Sequence, residues 1–372
     1  MTPNFTSANF KIWRAQVAAV IRLEMRKTFF AKRGLWVYLL ALAPVLLFMG
    51  RAIDLMRVSE TRQEMAAAHP VSSEVLDKIR PSTNEDEPGV TIDDVIKKAG
   101  EPYARRSPQG RGRGQRRPPR MVQMSYTDGQ DDYTFTFFDG ELRGVNRREH
   151  PNLQQDTLIY ATVFQFFYLR LAIFFGCVGI FMNLFRGEMI DKSLHFYLLA
   201  PIRREVLLVG KYLAGLIATV VIFTTSTALQ LWMLLLPYDA SAYLHAAGWH
   251  HILAYLGVTA LACLGYGSVF LAAGLLVRNP IIPAATVLLW ESANLFLPAA
   301  LKKISVIFYL QSLCPVVAPP EKDMNPLLAL LISSAEATPP IWAITGLVAL
   351  TLVILVVASL RARKLEINYG TD

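Results

Sequence analysis

Two ionisable side chains fall where charge is expensive. Arg170 lies near the middle of one long apolar run and Glu291 well inside another, with Asn294 one helical turn beyond Glu291 on the same face. A charge at such depth costs about 2.5–3.5 kcal/mol on insertion scales, so each needs a partner or water. Three arrangements stay open: an Arg170–Glu291 ion pair that holds helices together, outward snorkelling of Arg170, or a polar lining made by Glu291 and Asn294. The remaining chemistry-bearing groups have plainer readings. His245, His250 and His251 cluster at the edge of an apolar run with no Cys or carboxylate at ligand spacing, so interfacial histidines are expected and a metal site is not. Asp128, Asp131 and Asp132 in TDGQDD lack the spacing of an EF-hand loop and read as turn chemistry. GEMIDKS at 187–193 has Asp191 where a phosphate-binding loop needs its second Gly, so no nucleotide is expected on this chain. No nucleophile and base stand in a recognisable motif, which argues against an enzyme.

The elements that carry these residues belong in a membrane. Of 372 residues 53% are hydrophobic and only 18% charged, too apolar for an ordinary soluble chain. The mean hydropathy of +0.35 agrees. A net charge of +8 would suggest nucleic acid in a soluble protein, but here basic residues sit at interfaces and set orientation, so no nucleic-acid partner is expected. Cys177, Cys263 and Cys314 are too few and too scattered for a disulfide framework. Six segments approach the ~20 apolar residues that a crossing needs: 35–54, 158–184, 206–236, 250–277, 281–300 and 340–360, the first kinked at Pro44. The first begins behind a long polar leader, so it is expected to stay as an anchor, with no cleavable signal peptide. Lys27, Lys32 and Arg33 before the first span, Arg186, Lys192, Arg203, Arg204 and Lys211 between the second and third, Arg278 after the fourth, and Arg361, Arg363 and Lys364 after the last all fall on alternate connections. Those connections, and both termini, belong on the cytoplasmic side. Residues 301–339 hold apolar pieces too short for a full crossing and read as re-entrant or interfacial helices on the outer side, with an extra span or two as the alternative.

The leader at 1–34 and the first outer loop at 55–157 carry the remaining organisation. Phe10, Trp13, Val17, Val20 and Ile21 share one helical face, with Lys11, Arg22 and Arg26 opposite, which predicts a helix lying on the inner membrane surface. Glu24 projects toward the apolar side and either marks the helix edge or has a specific polar partner. In the outer loop, 105–120 holds seven arginines among Gly and Pro with no acid, a composition that reads as a disordered linker. After it Val122, Met124 and Tyr126 alternate, then Tyr133, Phe135 and Phe137, with a turn at Asp139-Gly140, predicting a hairpin or three-stranded meander. Lys302 and Lys303 are expected to meet lipid headgroups.

Residues 185–211, FRGEMIDKSLHFYLLAPIRREVLLVGK, interrupt two apolar runs with a polar stretch. Glu188, then Lys192-Ser193-Leu194, then Pro201, Arg203-Arg204 and finally Gly210-Lys211 resemble the inner loop of permease subunits of ATP-binding-cassette transporters of the type-2 exporter class. The leader at 22–34 resembles that family's connector helix, and the order of spans resembles its six-helix core. The large first outer loop departs from the minimal family plan.

The resemblance implies an all-α polytopic membrane protein with six transmembrane helices, an amphipathic connector helix that includes Trp13 and Glu24, a coupling helix within 187–203, re-entrant outer helices after the fifth span and a small outer insertion with some β structure. It implies a separate ATP-binding subunit carrying ATP and magnesium, with Leu194, Phe196, Tyr197 and Leu198 of the coupling helix fitting a groove on it. It also implies a second permease copy or a near relative, membrane lipids around both, and a substrate path that Arg170, Glu291 and Asn294 would line or brace. A membrane scaffold with a partner-binding outer domain and, further off, an intramembrane enzyme remain as other readings.

Overall fold

The computed structural model describes residues 7–30, 34–81, 89–107, 121–148, 152–190, 203–238, 240–277, 279, 281–294, 298–315 and 338–363. It divides into two compact units, one formed by 1–49 with 157–372 and the other by 50–156.

Long helices dominate the first unit. Helix α1 (Ser7–Phe30) precedes α2 (Leu35–Ala68), whose apolar part carries Pro44 inside it. After the second unit come α5 (Leu153–Val163), a π-helical stretch (Phe164–Ile173) and α6 (Phe174–Phe181), which together make the apolar rod Leu153–Phe185. Then follow α7 (Asn183–Ile190), α8 (Arg204–Leu235), α9 (Trp249–Leu276), α10 (Ile281–Ala293), α11 (Val306–Leu313) and α12 (Pro340–Arg363). Among the described residues five helices are long and apolar enough to cross a membrane: Leu35–Ala68, Leu153–Phe185, Arg204–Leu235, Trp249–Leu276 and Pro340–Arg363. Each covers one of the expected spans. Within the expected crossing at 281–300 the structure describes α10, whose 13 residues at about 1.5 Å each cover about 20 Å of a core about 30 Å thick; residues 295–297 lie outside the described residues.

Lipid gives helices no hydrophobic reason to associate, so close approach and specific contacts hold the bundle. Phe181 supplies one such contact. A Cβ on Gly267 would fall 2.5 Å from its ring and one on Gly215 2.8 Å, so the two glycines form the notch on α9 and α8 that seats the phenyl group. Phe223 of α8 seats on Gly176 in the same way. Tyr255 packs edge to face against Tyr160 and Phe164, with centroids 4.9 and 4.8 Å apart, while Tyr160 and Phe164 stack at 5.8 Å.

The second unit is an antiparallel sheet with two short helices. Its strands β1 (Ala104–Arg106), β2 (Met121–Thr127), β3 (Asp132–Phe138) and β4 (Glu141–Arg148) lie in that order. Met124, Tyr126, Tyr133, Phe135 and Phe137 alternate onto one face and are covered by Leu76 of α3 (Ser73–Lys78) and Val95 of α4 (Ile92–Ala99). Thr91 and Asp94 close a capping box at the start of α4. The meander expected from the alternation is present and gains a strand: Arg105 and Arg106, read from composition as linker, pair with Met124 and Gln123. Residues 108–120 of that linker lie outside the described residues. Asp128 makes its turn, its Oδ1 accepting from the amides of Gln130 and Asp131 at 2.8 and 2.6 Å. Asp132 accepts from Arg62 Nη2 at 2.7 Å and Asp131 from Arg147 Nη2 at the same distance. At the two ends of the unit, Arg51 and Asp156 form an ion pair.

Asp139 and Gly140 have φ of 52° and 89°, the geometry of a tight hairpin whose twist matches the strands. Gly140→Ala should therefore cost about 1 kcal/mol or more, seen in the full chain as faster amide exchange over 132–148, while Asp139→Gly leaves exchange there unchanged or slower.

Candidate functional site

The described ends of the polar stretch at 185–211 meet helix α1 in a buried junction. Lys211, about two turns into α8, is fully buried, and its ammonium donates to Glu24 Oε1 at 2.7 Å and to the Leu184 carbonyl of α7 at 2.8 Å. The Phe185 ring lies under it at 5.3 Å. Glu24 is itself only 3% exposed, so the two charges neutralise each other in a site that excludes water. Three elements are tied at one point.

Gly210 explains how α1 comes so near. A Cβ there would stand 2.8 Å from Val20, and the next obstacle is the Val17 carbonyl, so only hydrogen fits between the two helices. A turn away, the Arg203 guanidinium sits 5.0 Å over the Trp13 ring. Trp13, Val17, Ile21, Val206 and Val209 line a cavity of about 490 Å³ along this seam. The far end of α12 joins as well: Arg204 donates to the Arg363 carbonyl at 2.8 Å, and Arg363 pairs with Glu205.

The expected intramembrane group divides differently. Glu291 is buried, and its carboxylate accepts from Ser305 Oγ at 2.7 Å, from Val306 N at 3.0 Å and from Ile307 N at 2.9 Å. It thereby caps the N-terminus of α11, taking up amides that a helix start leaves unpaired. Arg170, in the π-helical stretch, lies 5.3 Å over the Phe166 ring. No ion pair joins it to Glu291 among the described residues. Asn294 is buried with its Oδ1 unpaired. Of the three arrangements left open, the helix-holding ion pair is not what the geometry contains; Glu291 does hold a helix, by capping it.

A family model described as ABC-2 family transporter protein matches residues 18–280. The chain belongs to this family. No curated protein and no solved structure matches it. It is an integral membrane protein of permease type, and the matched stretch runs from α1 through the polar segment to the end of α9.

Within this ABC-2 permease, the structure unites residues that the sequence presented as two groups: Trp13 with Arg203, and Glu24 with Lys211. Lys192, Ser193, Leu194, Phe196, Tyr197 and Pro201 lie outside the described residues, as does the side chain of Glu188, whose backbone continues α7. Of the two readings of Glu24, the specific polar partner is the one found. Leu184, Phe185, Glu205 and Ser305 were not singled out from sequence. Ser305 alone carried a signal, a serine just before the apolar run VIFYLQSL. His251 Nδ1 lies 2.9 Å from the Tyr243 hydroxyl, within hydrogen-bond distance.

Breaking the buried pair from one side should cost about 3–5 kcal/mol. Glu24→Gln and Lys211→Met are each expected to lower the melting temperature in detergent, and the double variant to recover much of the loss, in a cycle that additive effects would contradict. Glu291→Ala strands two amides and a hydroxyl at about 1–3 kcal/mol each. It should raise amide exchange over 306–313 first, with Glu291→Gln intermediate.

Proposed function

We propose that the chain is the membrane subunit of an ATP-driven exporter, which forms the substrate path and is moved by a separate ATP-binding subunit. Membership of the ABC-2 family supports this, since ATPase activity there generally resides on another chain. The observation that carries the coupling role is the Glu24–Lys211 junction: it fastens α1 to the base of α8 at the point where the segment 191–202 enters. A load applied to that segment would reach α7, α8 and α1 as one body. In this reading the short helix within 187–203 docks on the ATPase, which holds ATP and magnesium.

The same reading assigns six crossings, the fifth begun by α10 and extended by the residues after it, with α11 re-entrant on the outer side. Both termini and the junction face the cytoplasm, in keeping with Lys27, Lys32, Arg33, Arg203, Arg204, Arg361 and Arg363. The unit 50–156 then projects outward, the membrane is a bacterial inner membrane, and two permease copies, identical or related, flank a common path.

Copurification with the ATP-binding subunit tests the proposal. Replacing 188–204 by a Gly/Ser linker should abolish ATPase association and transport while the chain still inserts and folds. Trp13→Ala with Arg203→Ala should keep association yet reduce substrate-stimulated ATP turnover several-fold. Intact association and transport in the linker variant would refute the docking role.

A further inference from the structure

Arg170 stands at the centre of the rod Leu153–Phe185, yet no hydrogen bond or ion pair is made to it among the described residues, and its Nε is buried without a partner. Around it are aromatic faces. Phe166 lies beneath the guanidinium, and Phe174, one turn on, packs against Tyr266 and Phe270 at 5.4 and 4.9 Å. Glu291 is within electrostatic reach but is committed to Ser305, Val306 and Ile307. A cation in an apolar span is retained only where something compensates it, and here the chain's own carboxylate is spent elsewhere. The backbone is unusual at the same place, since a π-helical stretch of 10 residues surrounds Arg170. Such windings are rare and concentrate at functional sites.

Taking the permease reading as its basis, we propose that Arg170 anchors an anionic group of the transported molecule, and that the cargo class is therefore an amphiphile bearing a phosphate, sulfate or carboxylate. The guanidinium supplies a planar fork of donors for such a group, and the half-buried Phe166 ring beside it meets the apolar remainder. The Nε without a partner leaves a donor of that fork uncommitted. Glu291 keeps its oxygens on Ser305, Val306 and Ile307, so it does not take up the donors of the guanidinium.

The test uses the purified full chain in zwitterionic-lipid nanodiscs, without an ATPase, and reads the melting temperature against dodecyl phosphate, dodecanol and inorganic phosphate. Dodecyl phosphate should stabilise the wild type at a concentration about tenfold or more below either of the others. In Arg170→Gln that advantage should vanish, and in Arg170→Lys, which keeps the charge but loses the fork, it should weaken about tenfold. Without any ligand, Arg170→Gln should melt no lower than the wild type, because it removes an uncompensated charge. Equal stabilisation by dodecanol, or by inorganic phosphate, would overturn the amphiphilic-anion class, and an unchanged response in Arg170→Gln would overturn the residue. A clear drop in the ligand-free melting temperature of Arg170→Gln, with loss of dimer on size exclusion, would show that a carboxylate of a second copy is the true counter-ion. Should Arg170→Gln not fold, the lysine variant carries the comparison alone. Since no ATPase is present, failed copurification would sink the coupling proposal without touching this one, and the reverse also holds.

Discussion

Everything at the base of the helical unit depends on two opposite charges that have no access to water. Lys211 is wholly buried, and its ammonium has the Glu24 carboxylate, the Leu184 carbonyl and the Phe185 ring around it. Apolar helix faces slide against each other at little cost, but a buried pair does not. Advancing α1 by one residue would shift Glu24 by about 1.5 Å and turn it by about 100°, leaving both charges stranded. The pair thus sets the register of α1 on α8, and the bare backbone of Gly210 lets that register be reached. Arg203 on Trp13 and Arg363 on Glu205 are exposed attachments at the same base, weaker individually and dependent on the alignment already made.

Polar pins and aromatic notches divide the work elsewhere in the unit. Phe181 and Phe223 lie in glycine notches that bring the middle helices close, an arrangement of shape alone. Glu291 acts as Glu24 does, by direction: three donors from Ser305, Val306 and Ile307 converge on one carboxylate and orient an eight-residue helix that could not hold itself. In both cases a carboxylate in an apolar stretch is the piece that positions a neighbouring element.

Local signals in the sequence were readable and pairings at distance were not. Long apolar runs located the five described helices that are long and apolar enough to cross a membrane, within a few residues at most ends, and Asp139-Gly140 announced its hairpin. Helix α2 runs on to Ala68, past the expected end at 54, because SETRQEMAAA is rich in good helix formers and Arg62 is tied to Asp132. Strand β1 escaped notice since its ARR sequence has no strand character of its own, and the pairing with β2 creates it. Glu24 was visibly odd on an apolar face, but its partner is 187 residues away, beyond anything that periodicity can reach. Glu291 and Arg170 were flagged by depth alone. Depth says that a charge needs compensation and is silent about which group provides it. The π-helical stretch around Arg170 has no reliable local signature either.

The ion pair of Arg51 with Asp156 joins the first and last turns of the unit 50–156. The two ends of a segment of more than a hundred residues are thus held together by side chains in direct contact. Chain closure at that neck needs no contribution from what lies beyond it, so the intervening sequence is free to lengthen, shrink or be exchanged at small entropic cost. In evolutionary terms the neck is a socket: a lineage could exchange the sequence it closes without re-engineering the closure.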